Sequence, residues 1–357
     1  MNRRFLLCQG SLVVFWGVMG YGQTALSPKE VGGQESVEPQ RLKLLAFGDV
    51  NLGRVVGQEL LKGNLDYPLG QVKETLLAAD VVFVNLESQL SDQGGETQHP
   101  DDNLIFCGPP EGAEALRRGG VSVVSTGNNH AYDYGIRALE ETLEHLRGSG
   151  IVATGTSRDS AVLFPAALVE KHGIRIAFLA YTQFVNIPGP WRARISLFEE
   201  RRARREIREA KKKSDLVIVS LHGGLEYADR PPPGTLSQFR FLIDAGADLV
   251  LGHHPHVPQG IERYRSKYIF YSLGNFVFSQ PQHEWTQKSF GVEVWIRKDS
   301  LSTRVERMRL LPLRAAMQPL FLSEVVQQQE IIDRVQMLSN VVLREERGGY
   351  FVQLQNE

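Results

Sequence analysis

From Arg41 onward the chain alternates short, continuous apolar runs with longer stretches whose apolar positions recur at helical spacing. The runs Leu42–Phe47, Val81–Val84, Val121–Ser125, Ile174–Ala180, Leu216–Leu221, Leu249–Leu251 and Tyr268–Tyr271 are largely β-branched or aromatic. Gly, Asn, Asp or His bounds them, which predicts buried strands. Between them Tyr67–Ala79, Glu111–Arg118, Gly135–Ser149, Leu197–Lys213 and Leu236–Ala245 carry the helical period. Such alternation builds βαβ units, so an α/β fold with a largely parallel sheet is expected. After Ser289 the texture changes: Phe290–Arg297 and Leu301–Leu311 read as antiparallel strands closing the sheet, and Glu324–Leu343 as a helix packed outside it.

The first residues follow a different logic. Arg3 and Arg4 precede an uncharged run, Phe5–Met19, and Gly20-Tyr21-Gly22 supplies a small-x-small cleavage signal. A run of about fifteen residues is short for a membrane span, which needs about 20. The layout over residues 1–22 is that of a signal peptide and predicts export to the periplasm or cell envelope, with an uncleaved N-terminal anchor as the alternative. Residues 23–40 read as a linker, 41–315 as the main domain and 316–357 as a C-terminal helical extension. Beyond Cys8 the only cysteine is Cys107, expected to be buried and inert.

Composition adds little to this but removes several classes. A chain 42% hydrophobic and 23% charged is globular rather than disordered. With 40 basic against 41 acidic side chains there is no electrostatic footprint for nucleic acid. The densely charged stretch Glu199–Lys213 interleaves Glu199, Glu200, Glu206 and Glu209 with its cations, which suits a solvated helix face with i,i+4 pairing better than a polyanion-binding patch.

The informative positions lie where strands end, because ligands of open α/β sheets bind at the carboxyl ends of strands. Gly48-Asp49-Val50-Asn51 follows the first strand, Asn85-Leu86-Glu87 the second, and Thr126-Gly127-Asn128-Asn129-His130 the third. His222-Gly223-Gly224-Leu225-Glu226, Gly252-His253-His254-Pro255-His256 and Ser272-Leu273-Gly274-Asn275 come later. Singly each has an ordinary reading: Asp49 a turn or cap, Glu87 a rim charge, Asn129 a cap, His130 a satisfied core histidine. His254-x-His256 says more, since residues i and i+2 of extended chain project to one side. Together the imidazoles, carboxylates and amides suit one or two divalent ions (Mn, Zn, Mg or Fe) that clamp a phosphoryl group and activate water. A further imidazole there would protonate the leaving group.

At these residues the chain resembles the CapA family, poly-γ-glutamate capsule-biosynthesis proteins with a calcineurin-like metallophosphoesterase fold. The motifs are Gly-Asp-Val-Asn-Leu-Gly-Arg (48–54), Asn-Leu-Glu (85–87), Asn-Asn-His-Ala-Tyr-Asp-Tyr-Gly (128–135), His-Gly-Gly-Leu-Glu-Tyr (222–227), Gly-Ala-Asp-Leu-Val-Leu-Gly-His-His-Pro-His-Val (246–257) and Ser-Leu-Gly-Asn-Phe-Val-Phe (272–278). The resemblance implies a four-layer α/β/β/α sandwich, mixed sheets flanked by helices. It implies that Asp49, Glu87 and His256 hold one metal, and Glu87, Asn129, His222 and His254 the other, with Glu87 bridging. His130 becomes the general acid, oriented by Asp133, while Arg54, Asn51, Glu226, Asn275 and Asn186 line the substrate pocket.

Two departures from the wider phosphoesterase pattern matter: Asn51 stands where hydrolases have His, and the bridging carboxylate is Glu87 rather than Asp. An amide oxygen is a poorer ligand for a transition metal than an imidazole, so one firm and one labile site are expected. The resemblance implies a role in synthesis, export or anchoring of poly-γ-glutamate or a related anionic envelope polymer, through a metal-dependent hydrolase-type site. Its partners would be that polymer and a membrane-bound capsule synthase. A non-catalytic polymer-binding or synthase-partner protein and a secreted phosphodiesterase are the alternatives.

Overall fold

A computed structural model describes residues 11–17, 38–160 and 163–354. The basic start, the cleavage signal and most of the linker therefore lie outside the described residues, and residues 11–17 are exposed without regular secondary structure. Among the described residues no helix is long and apolar enough to cross a membrane.

The unit beginning at Glu38 opens with β1 (Gln40–Val50), α1 (Arg54–Leu61), α2 (Lys73–Leu77) and β2 (Val81–Leu86). A short pair, β3 (Gln89–Leu90) and β4 (Cys107–Gly108), precedes α3 (Glu111–Arg118), β5 (Val123–Ser125), α4 (Gly135–Gly148) and β6 (Val152–Thr154). Next come β7 (Ala167–Lys171), β8 (Ile174–Thr182), α5 (Glu200–Lys211), β9 (Leu216–His222), α6 (Pro233–Ala245) and β10 (Leu249–His253). The rest runs β11 (Ile261–Tyr264), β12 (Lys267–Phe270), β13 (Asn275–Val277), β14 (Lys288–Lys298), β15 (Thr303–Arg314), β16 (Leu320–Phe321), α7 (Val325–Leu338), β17 (Leu343–Glu346) and β18 (Gly349–Val352).

These strands form two mixed sheets rather than one largely parallel sheet. The first has the order β17-β18-β15-β14-β1-β2-β5-β6, with β13 beside β1 and β16 beside β15; the second has the order β11-β12-β10-β9-β8-β7. In the first, β1, β2, β5 and β6 are parallel and β14 runs against β1. In the second, β8, β9, β10 and β12 are parallel, and β7 and β11 run against their neighbours.

Side-chain alternation explains both the apolar runs and the layering. Leu44, Ala46, Val81 and Phe83 point from the first sheet into one core with Ile176, Phe178, Ile218 and Leu251 of the second. Leu45, Phe47, Val82 and Val84 face the other way, against Val56 and Leu60 of α1 and Leu116 of α3. Leu179, Val217 and Val219 likewise meet Ala203 and Ile207 of α5 and Leu242 of α6. Strands buried on both faces read as continuous apolar sequence. The result is the four-layer α/β/β/α sandwich that the resemblance implies.

Several local expectations change. Helix α2 is shorter than Tyr67–Ala79, and α1 escapes the helical pattern because Gly57 interrupts its short run where Thr97 packs close; a Cβ there would lie 2.6 Å from the Thr97 Cγ2. Residues 316–357 are not simply helical: after α7, β17 and β18 pair as a hairpin that adds to β15 through Arg309–Phe351 and Leu310–Tyr350. On α5, Glu206 is not solvated. It is buried beside Ala203, Ile207 and Ala210, and accepts hydrogen bonds from the Phe164 N–H at 2.7 Å and the Tyr181 hydroxyl at 2.8 Å. Cys107 is buried and its thiol is pushed up to about 12 by that burial, so it stays protonated.

Candidate metal centre

The polar strand ends meet at one edge of the sandwich. β1 is irregular between Ala46 and Asp49, which brings Asp49 level with Asn85 of β2 and Asn275 of β13. Glycine permits this approach: a Cβ on Gly48 would sit 1.7 Å from the Gly274 carbonyl oxygen, and one on Gly252 would sit 2.0 Å from that of Tyr271. His222 ends β9 and is the register partner of His253, which ends β10.

His254 and His256 do not lie on extended chain. They follow β10 in a bend with φ of 97° and 60°, left-handed values that non-glycine residues seldom adopt. The alternation argument for this pair is therefore incorrect, although both imidazoles reach the same cluster. Arg54 and Tyr227, at φ of 53° and 61°, also border the site. Such clustering of unfavourable backbone is a mark of functional sites.

Asp49, Glu87, Asn129, His130, His222, His254 and His256 are all buried and come together. The Glu87 Oε1 lies 3.5 Å from His222 Nε2 and 3.9 Å from both His256 Nε2 and His130 Nε2. Asp49 Oδ2 is 3.3 Å from His256 Nδ1, and Asn129 Oδ1 is 2.7 Å from His222 Nε2. Two donor triads emerge, Glu87 with His254 and His256, and Asp49 with Glu87 and His222, each within 4.8 Å. Glu87 is shared, as the resemblance implies. One triad joins His256 to His254 and the other Asp49 to His222, while Asp49 also lies beside His256.

The electrostatics show what the cluster lacks. Burial acts to raise the Asp49 carboxyl, but the imidazoles of His253 and His256 outweigh it and hold Asp49 well below the ordinary carboxylate range. Burial opposes protonation of His256, yet Asp49 wins and raises it. Asp49 is thus provided for, whereas Glu87 is not. Burial, then the charges of Asp49, Glu226 and Asp133, push Glu87 well above its ordinary value, and neither of its oxygens has a hydrogen-bond partner. A buried carboxylate left so is costly. Burial, reinforced by neighbouring imidazoles, lowers His254 to about 3 and His222 well below the usual histidine value, leaving both neutral. An unpartnered carboxylate among neutral imidazoles fits a divalent cation.

The remaining expected residues take distinct places. His130 Nδ1 is 2.7 Å from Asp133 Oδ2, which also accepts the Phe106 N–H at 2.7 Å. Burial raises the Asp133 carboxyl, with His130 opposing. Arg54 lies 4.7 Å over the Phe106 ring, donates to the Asn103 carbonyl, and Phe106 in turn stacks on His130 at 4.0 Å. Asn51 Oδ1 accepts the Gly53 N–H at 2.8 Å, while its buried Nδ2 has no partner. Asn186 accepts from Asn129 Nδ2 at 3.3 Å, and Glu226 is exposed at the rim. Asn275 differs from its expected place: it is fully buried, contacts His256 Nδ1 through Oδ1 at 2.9 Å, and donates to Gln280 and Thr286. It holds a histidine rather than lining a pocket.

Sequence reasoning missed Asn85, His253 and Phe106. The Asn85 amide, fully buried, donates to Asp49 Oδ1 at 2.9 Å and lies 3.2 Å from His222 Nδ1, so it ties the two sheets together under the cluster. His253 Nδ1 lies 3.4 Å from Asp49 Oδ1. Asn85 and His253 stand inside quoted motifs, and that position was their only signal.

Comparison with known proteins agrees with the motifs. The chain is 30% identical over 260 residues to the capsule biosynthesis protein CapA of Bacillus anthracis, covering 70% of this chain and 62% of that protein. It is 33% identical over 250 residues to the PGA biosynthesis protein CapA of Bacillus subtilis, covering 67% and 63%. It thus spans less than two thirds of the length of these relatives. A solved calcineurin-like phosphoesterase, YfkN of Bacillus subtilis, aligns with 12% identity and a TM-score of 0.44 over 84% of this chain and 98% of that one. The family model of the bacterial capsule synthesis protein PGA_cap matches residues 43–280, the segment that carries every donor of the cluster. The chain belongs to this PGA_cap family, to which the CapA resemblance pointed.

Proposed function

We propose that this protein acts in the synthesis, export or anchoring of an anionic envelope polymer, poly-γ-glutamate or a relative of it, through a hydrolase-type site that holds one or two divalent ions. The observation that carries the reading is Glu87, whose two buried oxygens lack a hydrogen-bond partner while both donor triads share it. Asp49, Glu87, Asn129, His222, His254 and His256 would hold the cations. A cation there supplies Lewis-acid polarisation of the oxygen at the scissile bond.

The protein's own groups supply the rest. Asp133 would accept from Nδ1–H of the His130 imidazolium, whose Nε2–H, on the side of Glu87, would pass its proton to a departing amine or alkoxide and leave the ring neutral with its remaining proton on Nδ1. Phe106 lies flat on the imidazole and restricts its rotation. Export is supported by Arg3, Arg4 and the uncharged run Phe5–Met19, and a membrane-bound capsule synthase is the partner this placement suggests.

The test is incubation of the Mn2+- or Zn2+-loaded protein with poly-γ-glutamate, followed by electrophoretic sizing, with an aryl phosphate in parallel. Shortening of the polymer, slowed about 10²–10⁴-fold by His130→Ala, is the expected result. Aryl phosphate turnover with intact polymer would favour the secreted phosphodiesterase. Binding of the polymer with neither reaction would favour the non-catalytic alternative.

A further inference from the structure

The donor cluster does not lie at the bottom of a closed pocket. One cavity of about 330 Å3 is bordered by Arg54, Phe106, His130 and His256. A second, of about 630 Å3, is bordered by Asn129, Phe184, Asn186 and His254. His254 and His256 belong to the same triad yet border different cavities, and Leu104 and Glu226 border both. Beyond Arg54 and Ser279 a third cavity of about 210 Å3 continues the first, and Asn51 is part of its wall.

A site for a small phosphoester, or for the end of a chain, needs a single cavity, and ~300 Å3 already suffices for a compact ligand. Here different residues of the cluster border two cavities. The chemistry of the walls narrows the occupant. Among the described residues Arg54 is the one Lys or Arg that borders these three cavities, against the carboxylates Asp102 and Glu226. Such walls do not neutralise a carboxylate on every unit of a polyanion. They offer neutral hydrogen-bonding groups instead. Asn51 Nδ2 is a buried donor with no acceptor, and Asn186 adds an exposed amide at the second cavity. Both match the carbonyl and N–H groups of an amide backbone.

We infer that the ligand of this centre is an extended, amide-linked chain that crosses the donor cluster, with an interior unit over the metals and bound stretches on both sides. Its carboxylates face solvent, apart from one within reach of Arg54. The inference rests on the polymer reading above and adds how the polymer lies.

Calorimetric titration of the full-length, Mn2+-loaded protein with γ-linked glutamate dimer, tetramer and octamer tests it. Affinity should rise about tenfold or more from dimer to octamer, because one chain engages both sides. Asn51→Ala and Asn186→Ala, one for each side, should each weaken octamer binding about fivefold, the equivalent of one hydrogen bond. Arg54→Gln replaces Asn51→Ala if the latter lowers the melting temperature. Equal affinities for dimer and octamer, or sensitivity to variants on one side alone, would overturn the two-sided cleft and leave the polymer reading standing. Failure of every length to bind would remove both.

Discussion

At the scale of single residues, Glu87 decides the character of the centre, because it is the carboxylate that the protein's own groups leave unsatisfied. Its folded-state value is raised, so the fold favours the protonated form. In metal-free protein this contribution is complete below the ordinary carboxylate value and is lost as pH rises from about 4.3 through the raised folded value. Glu87→Gln keeps the shape and removes the charge. In chelator-treated protein the variant should melt higher than wild type at neutral pH, by the equivalent of ~1–3 kcal/mol, with the difference vanishing towards pH 4. Equal melting curves across that range would show that Glu87 is satisfied by something else. The ligand types were legible because Asp49, His222 and His254 stand directly at strand ends. Asn85 and His253 were not legible. Asparagine and histidine have many unremarkable roles, and only the packing of β2 against the second sheet shows what these two touch.

Among elements, the continuous apolar runs gave the central strands because burial on both faces suppresses the polar half of the alternation. The same logic could not tell one sheet from two, since a strand between two helical layers and a strand between a helix and a second sheet look alike. Helix α1 and the β17–β18 hairpin were missed for local reasons: Gly57 weakens a short helical pattern, and the turn at Gly348-Gly349 joins an exposed, charged β17 to a β18 of only four residues, too short to show a period although Tyr350–Val352 are buried. The clearest element-level constraint is the crossing of β1 with the Gly274 backbone. Gly48→Ala should displace Asp49 and cost more than ~3 kcal/mol, because its Cβ meets backbone rather than a yielding side chain. Gly148→Ala, at the end of α4 with nothing within 4 Å, is the control and should be near neutral. Thermal denaturation of the two variants measures both, and a mild effect at Gly48 would contradict the tight crossing.

For the whole molecule, the sandwich serves to bring loops from both sheets to one rim. Asp49 and Glu87 come from the first sheet, His222, His254 and His256 from the second, and the amide of Asn85 links them beneath. The donors converge only when the two sheets pack, so the centre reports on the tertiary fold as a whole. The measurement that bears most directly on this account is elemental analysis of purified protein after dialysis against Mn2+ or Zn2+, for wild type and Glu87→Gln side by side. Wild type should retain about one or two ions per chain and the variant far fewer, since the carboxylate common to both triads is gone. A wild-type protein that emerges without metal, or a variant that keeps as much as wild type, would contradict it.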